Sequence, residues 1–118
     1  KLTLYIKGRD MVSGLPRIVN VTSDDVTDAV QTSLEGMIAA IKDVLNQTPP
    51  ELAADVMDKG MVLSGGSSLL RNLAQLFSQA TGVPAYVADE PLLCVAKGTG
   101  IALENLESYK RSILSTKY

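Results

Sequence analysis

The chain has 118 residues, enough for one compact domain or a piece of a larger one. Its 46% hydrophobic and 20% charged composition excludes a disordered tail, and a formal net charge of −2 without a basic run argues against a nucleic-acid groove. The sequence has no His, which removes the commonest general base and zinc ligand, and its single Cys excludes an intrachain disulfide.

A lone cysteine fits a reducing compartment. Cys94 lies in the apolar run Leu92-Leu93-Cys94-Val95-Ala96, where a buried structural thiol is expected. Aromatics make up 4% and Trp is absent, so a core must come from Leu, Val, Ile, Ala and Met. No apolar stretch is long enough to span a membrane, and no signal-peptide pattern opens the chain. The first residue, Lys1, falls directly into a strand pattern, which predicts a chain cut from inside a longer protein.

Leu2, Leu4 and Ile6 alternate with Thr3, Tyr5 and Lys7, predicting a half-buried strand. Arg17 to Thr22 alternates again, with Ile18, Asn20 and Thr22 on one face and Val19 and Val21 on the other. The connection through Gly14 predicts an antiparallel hairpin over residues 1–22, with a solvated turn at its tip. Helices follow over residues 23–59. Thr22 or Ser23 can cap the first, and Asp24 and Asp25 fall in its first turn, where the dipole favours acids. Val26, Val30, Leu34, Met37, Ile38, Ile41, Val44 and Leu45 recur at spacings of three and four, so the helix reaches about Gln47. Gly36, in its middle, suggests close packing on a neighbour. Pro50 suits the first position of a second helix, which Gly60 ends as a left-handed cap.

Residues 60–103 carry the informative pattern. Met61 to Ser64 reads as a short buried strand, Gly65-Gly66 as a tight turn, and Ser67 onward as a helix with Leu69, Leu70, Leu73, Leu76 and Phe77 on its apolar face. Such a turn brings unobstructed backbone amides to the positive end of a helix dipole, a place for a phosphate or an adjoining sugar. A Gly-Gly between strand and helix also serves as a plain tight turn. Val83 to Ala88 reads as the next strand, which implies a parallel crossover. Pro91 can open a last helix, interrupted at Gly98-Thr99-Gly100. Residues 104–118 continue amphipathically through Leu106, Tyr109, Ile113 and Leu114, with Lys110, Arg111 and Lys117 suited to a helix C-terminus.

Asp89 and Glu90, at the end of the strand after a glycine turn, mimic a dinucleotide-binding unit. The glycine spacing departs from that fingerprint, because Ser67, Ser68, Leu69 and Leu70 follow Gly66 where Gly-x-Gly-x-x-Gly is needed.

Several runs together carry a more specific likeness. Thr48-Pro49-Pro50-Glu51-Leu52-Ala53-Ala54-Asp55-Val56, then Gly60-Met61-Val62-Leu63-Ser64-Gly65-Gly66, then Leu69-Leu70-Arg71 resemble the C-terminal part of the MreB family of bacterial actin-like cell-shape proteins. Lys7-Gly8-Arg9-Asp10 with Gly14-Leu15-Pro16 fits the same family, as do Val83-Pro84, Ala88-Asp89-Glu90-Pro91-Leu92 and Ala96-Lys97-Gly98-Thr99-Gly100. The similarity runs in order over residues 7–104.

The resemblance implies an α/β fold of the actin, heat-shock chaperone and sugar-kinase superfamily, ribonuclease H-like, with a mixed sheet and an N-terminal β-hairpin flanked by helices. The chain is then most of the second lobe of a two-lobe protein. Gly65, Gly66, Ser67 and Ser68 would face ATP near the ribose and α-phosphate, with Ser67 standing where the family pattern has a third glycine. Gly98-Thr99-Gly100 would lie on a connecting helix that crosses its counterpart from the other lobe. The phosphate hairpins, the acid that organises Mg²⁺ and the membrane-contacting element would belong to the absent lobe, leaving this chain inactive alone. The full-length parent would be a cytoplasmic, membrane-associated filament that organises cell-wall elongation. It would self-associate and meet elongation proteins, including a membrane-anchored partner. Two other readings stand beside this one: a sugar-kinase or chaperone ATPase lobe, and a partner-binding module using the helix from Ser23 or the tail from Glu104.

Overall fold

The computed structural model describes residues 1–114. The tail from Ser115 to Tyr118, which includes Lys117, and the apolar side chains of Ile113 and Leu114 lie outside the described residues. The chain divides into two compact units, Lys1–Asn46 and Gln47–Tyr118.

In the first unit β1 (Thr3–Arg9) and β2 (Pro16–Thr22) form the expected antiparallel hairpin. Leu4 faces Val21 and Ile6 faces Val19 across the ladder, so the alternation places these apolar residues on one face, but every residue of β1 is exposed and the strand is not half-buried as expected. The tip is tightly bonded. Asp10 Oδ1 accepts from the Val12 and Ser13 amides, each at 2.9 Å, and Asp10 Oδ2 accepts from Arg17 at 3.0 Å. Arg9 donates from Nε to the Gly14 carbonyl at 3.1 Å.

The helix α1 (Ser23–Gln47) starts and ends where its periodicity indicates. Thr22 is the capping residue: its hydroxyl accepts from the Asp25 amide at 3.3 Å, and Asp25 Oδ2 accepts from the Thr22 amide at 2.8 Å. This reciprocal pair satisfies two otherwise orphaned donors. Ser23 instead accepts from the Leu2 amide at 3.3 Å, tying the helix start to β1. Val30, Leu34, Ile38, Ile41 and Leu45 are the half-buried stripe, whereas Val26, Met37 and Val44 are exposed. A Cβ at Gly36 would meet nothing within 4 Å, so among the described residues no neighbour packs closely against it.

In the second unit α2 (Pro50–Lys59) opens on its proline as expected. Gly60 closes it with φ 80° and ψ −172°, which is positive-φ extended backbone and not the left-handed cap expected. The reason is close approach: a Cβ at Gly60 would lie 2.6 Å from the Pro84 carbonyl oxygen. That oxygen also accepts from the Met61 amide at 2.7 Å and sets the register of β3 (Met61–Leu63) on β4 (Ala85–Val87). The two strands pair in parallel, Met61 with Ala85, Val62 with Tyr86 and Leu63 with Val87. Both are shorter than expected, and Val62 is exposed, so β3 is not a fully buried strand.

The helix expected from Ser67 is broken. Gly66–Leu69 is a single 3₁₀ turn, Leu70 is extended, Asn72 is left-handed at φ 64°, and α3 (Leu73–Thr81) starts only then. Asparagine visits the left-handed region readily, so the corner falls there. The break separates the apolar set: Leu69 and Leu70 are exposed, while Leu73 and Phe77 are buried, one helical turn apart. With Val83 they are the buried apolar core among the described residues. α3 packs on β4 and on the 3₁₀ turn. Beyond β4, α4 (Cys94–Glu104) starts after Leu93 and runs unbroken through Gly98 and Gly100, contrary to the interruption expected. The break falls at Asn105, before α5 (Leu106–Leu114). Cys94 is half-buried, with its thiol 3.8 Å from the carbonyl oxygens of Asp89 and Glu90.

Candidate functional site

β3 delivers the chain to Gly65, which holds φ 86° and ψ 170° with open space at its Cβ position. Only glycine adopts this backbone without strain. Its amide donates to the Pro91 carbonyl at 2.8 Å, so the turn after β3 is fastened to the turn after β4. Gly66 lies against the same neighbour, with its Cβ position 3.2 Å from Leu92 Cδ2. The Ala88 amide, bonded to the Leu63 carbonyl at 2.9 Å, keeps the two strand ends side by side.

The four candidate residues do different work. Ser68 is 4% exposed and donates its hydroxyl to the Gly65 carbonyl at 2.6 Å. Its amide reaches the same oxygen at 3.3 Å. Ser68 therefore braces the turn from beneath. Ser67 is exposed, and among the described residues neither its hydroxyl and amide nor the Gly66 amide meets an acceptor. These three donors, beside backbone that carries no Cβ at two successive positions, match the acceptor oxygens of a phosphate or ribose. The dipole of a long helix does not contribute at this point, because a four-residue 3₁₀ turn follows Gly65 and α3 begins at Leu73.

The sequence pattern did not single out Pro91 and Leu92 as neighbours of the glycine turn. Pro91 reads as a helix start and Leu92 as one more apolar helical residue. The structure puts them in a turn instead, closed by the Leu93 amide on the Glu90 carbonyl at 2.8 Å. Leu92 is exposed beside Gly66 and offers an apolar surface there. The adjacent acids differ from a ribose-binding pair: Glu90 is left-handed at φ 47° and its carboxylate is ion-paired with Lys97.

The carboxyls held clearly below the usual range belong to the first unit. The Ser13 and Val12 amides, then Arg17, lower Asp10; the Thr22 amide and hydroxyl, with Lys1, lower Asp25. Both follow from hydrogen bonds at a turn and a helix cap. Among the described residues no three His, Cys, Asp or Glu side chains are grouped to hold a metal ion, and no helix is long and apolar enough to cross a membrane.

The model of the MreB/Mbl protein family matches residues 1–111. The chain is 46% identical over 112 residues to the cell shape-determining protein Mbl of Bacillus subtilis, covering 95% of this chain and 34% of that protein. It is 43% identical over 112 residues to the cell shape-determining protein MreB of Escherichia coli K12, covering 95% of this chain and 32% of that protein. The chain thus spans about a third of the length of the curated relatives it matches. Among solved structures, MreB5 of Spiroplasma citri bound to ADP superposes with a TM-score of 0.83 at 32% identity, over 97% of this chain and 34% of that one. The same protein bound to AMPPNP also gives 0.83, at 31% identity over 96% of this chain and 34% of that one. The fold is accordingly an α/β part of an actin-like protein.

Proposed function

The chain belongs to the MreB/Mbl family, and from that premise we propose that it forms the adenosine side of the nucleotide cleft in an ATP-binding, filament-forming protein of bacterial cell shape. The observation that carries this reading is the set of unengaged donors at Gly66 and Ser67 on Cβ-free backbone. The solved relatives with ADP and AMPPNP support a nucleotide as the ligand. In this proposal Gly65 and Gly66 allow close approach, Ser67 donates to ribose or α-phosphate oxygens, and Ser68 acts through its brace on Gly65. Leu92 supplies apolar contact beside them.

Bound Mg²⁺–ATP supplies the phosphoryl group, and its transfer depends on positioning and charge stabilisation. The phosphate hairpins, the acid that organises Mg²⁺ and the group that positions water come from the part of longer family members that this chain does not span. This chain holds the nucleotide and does not cleave it. The whole protein is cytoplasmic and membrane-associated, touches the membrane through its other lobe, and organises cell-wall elongation with a membrane-anchored partner. Self-association into filaments uses in part the hairpin tip, where Met11 and Val12 are 94% and 99% exposed on a loop already ordered by Asp10. An ordered apolar knob loses little entropy on docking.

Titration of the chain with Mg²⁺–ATP, followed by amide NMR and phosphate release, tests the half-site. Millimolar affinity with shifts centred on Gly66 and Ser67 and no turnover is the expected result. Micromolar binding with turnover contradicts the half-site, and shifts that miss both residues contradict the adenosine wall.

A further inference from the structure

The turn over residues 88–93 is built around two features that nucleotide contact does not require. Glu90 holds φ 47°, a left-handed conformation that a non-glycine residue adopts at a cost. Its carboxylate is ion-paired with Lys97, one turn inside α4. Between these two residues lie the Pro91 carbonyl that accepts the Gly65 amide and the Leu92 side chain that touches Gly66. The Lys97 amide bonds to the Leu93 carbonyl at 2.9 Å, so its side chain springs from a helical turn fixed directly after the loop. One charge pair therefore spans the loop that fastens the glycine turn.

We propose that Glu90 and Lys97 form a positioning latch, which holds the Pro91 carbonyl where it anchors Gly65 and thereby sets how Gly66 and Ser67 face the ligand. The second clause rests on the nucleotide reading above; the first does not. Both side chains are about half exposed, 54% for Lys97 and 58% for Glu90, so the pair is modest and screened by salt. It acts locally, offsetting the strain at Glu90 and leaving the buried core around Leu73 and Phe77 untouched.

Amide hydrogen exchange on the chain reads the latch at Gly65. In Lys97→Ala, Gly65 protection is expected to fall about two- to five-fold, the effect of losing one exposed pair. The Ala88 and Gly82 amides, bonded to Leu63 and Ser78, serve as controls and should stay unchanged. The charge-swapped double variant Glu90→Lys with Lys97→Glu should recover Gly65 protection, which simple loss of stability would not give. Equal loss at Gly65, Ala88 and Gly82 overturns the latch. So does an unchanged Gly65, a wild-type Gly65 amide that exchanges as freely as in a peptide, or a charge swap that recovers nothing. Mg²⁺–ATP added to the wild-type chain separates the two ideas: no response at Gly66 and Ser67 removes the nucleotide reading while the exchange result at Gly65 still decides the latch.

Discussion

Gly60 and Gly82 both hold positive φ, 80° and 75°, yet substitution should affect them differently. At Gly82 the backbone is ordinary left-handed helix with open space at the Cβ position, so Gly82→Ala should cost about 1 kcal/mol. At Gly60 a methyl would meet the Pro84 carbonyl at 2.6 Å on backbone that only glycine adopts freely. Gly60→Ala should cost about 3 kcal/mol or more, through both strain and displacement of Pro84. Urea unfolding of the two variants checks the ranking, and equal midpoints would contradict it. Ser67 and Ser68 pose a related contrast. The resemblance sets both against the ligand and singles out Ser67 only as the replacement of a third glycine. The 3₁₀ geometry turns Ser68 inward onto the Gly65 carbonyl and leaves Ser67 outside. Ser68→Ala should therefore lower stability by about 1 kcal/mol by removing a buried hydrogen bond. Ser67→Ala should leave the midpoint unchanged and weaken only ligand shifts.

At the scale of elements, the first unit was largely legible because its signals are local. Alternation fixes the β1 and β2 faces, and four spacings of three or four fix the half-buried stripe of α1. The Thr22–Asp25 cap was visible as residue types, though only the structure shows that Thr22 and not Ser23 caps. Thr22→Ala should cost about 1 kcal/mol and fray the first turn, measured by circular dichroism. Asp25 and Asp10 add a pH dependence of known sign. Their folded values lie below the ordinary 3.8, so the folded state favours the ionised form. The stability they contribute is complete above about pH 5 and is lost as pH falls through 3.8 and then through the lower folded values. The Val12 and Ser13 amide shifts should titrate with a midpoint below 3.8, and a midpoint at or above it would contradict the tip network. The second unit was less legible. The apolar period runs through Leu69, Leu70, Leu73 and Leu76, and nothing in that spacing reveals a left-handed Asn72. In α4 the opposite error arose: two glycines lower helix propensity by about 1 kcal/mol each, and the helix persists through them.

For the whole molecule, the family was legible because many short runs recur in order, while half of the candidate site's surroundings was not. Pro91 and Leu92 join Gly65 and Gly66 only through the pairing of β3 with β4, a contact between segments far apart in sequence. The same long-range logic applies to what the chain leaves uncovered. Leu4, Ile6 and Val19 on the hairpin and Val95, Ile101 and Leu103 on α4 are exposed, and a Cβ at Gly98 or Gly100 would meet nothing within 4 Å. In the family resemblance this helix crosses a counterpart from the other lobe, and that assignment predicts a change of sign with context. In the chain alone Gly98→Ala and Gly100→Ala should each stabilise by about 0.5–1 kcal/mol, because only helix propensity is at stake. A chimera in which this chain replaces the matching third of Bacillus subtilis Mbl should respond oppositely. There the added methyls would meet the crossing helix, and the chimera's melting temperature should fall while that of the chain alone rises. Gains in both settings would remove the crossing-helix role of α4. Losses in both would show that the space around Gly98 and Gly100 is already filled within this chain.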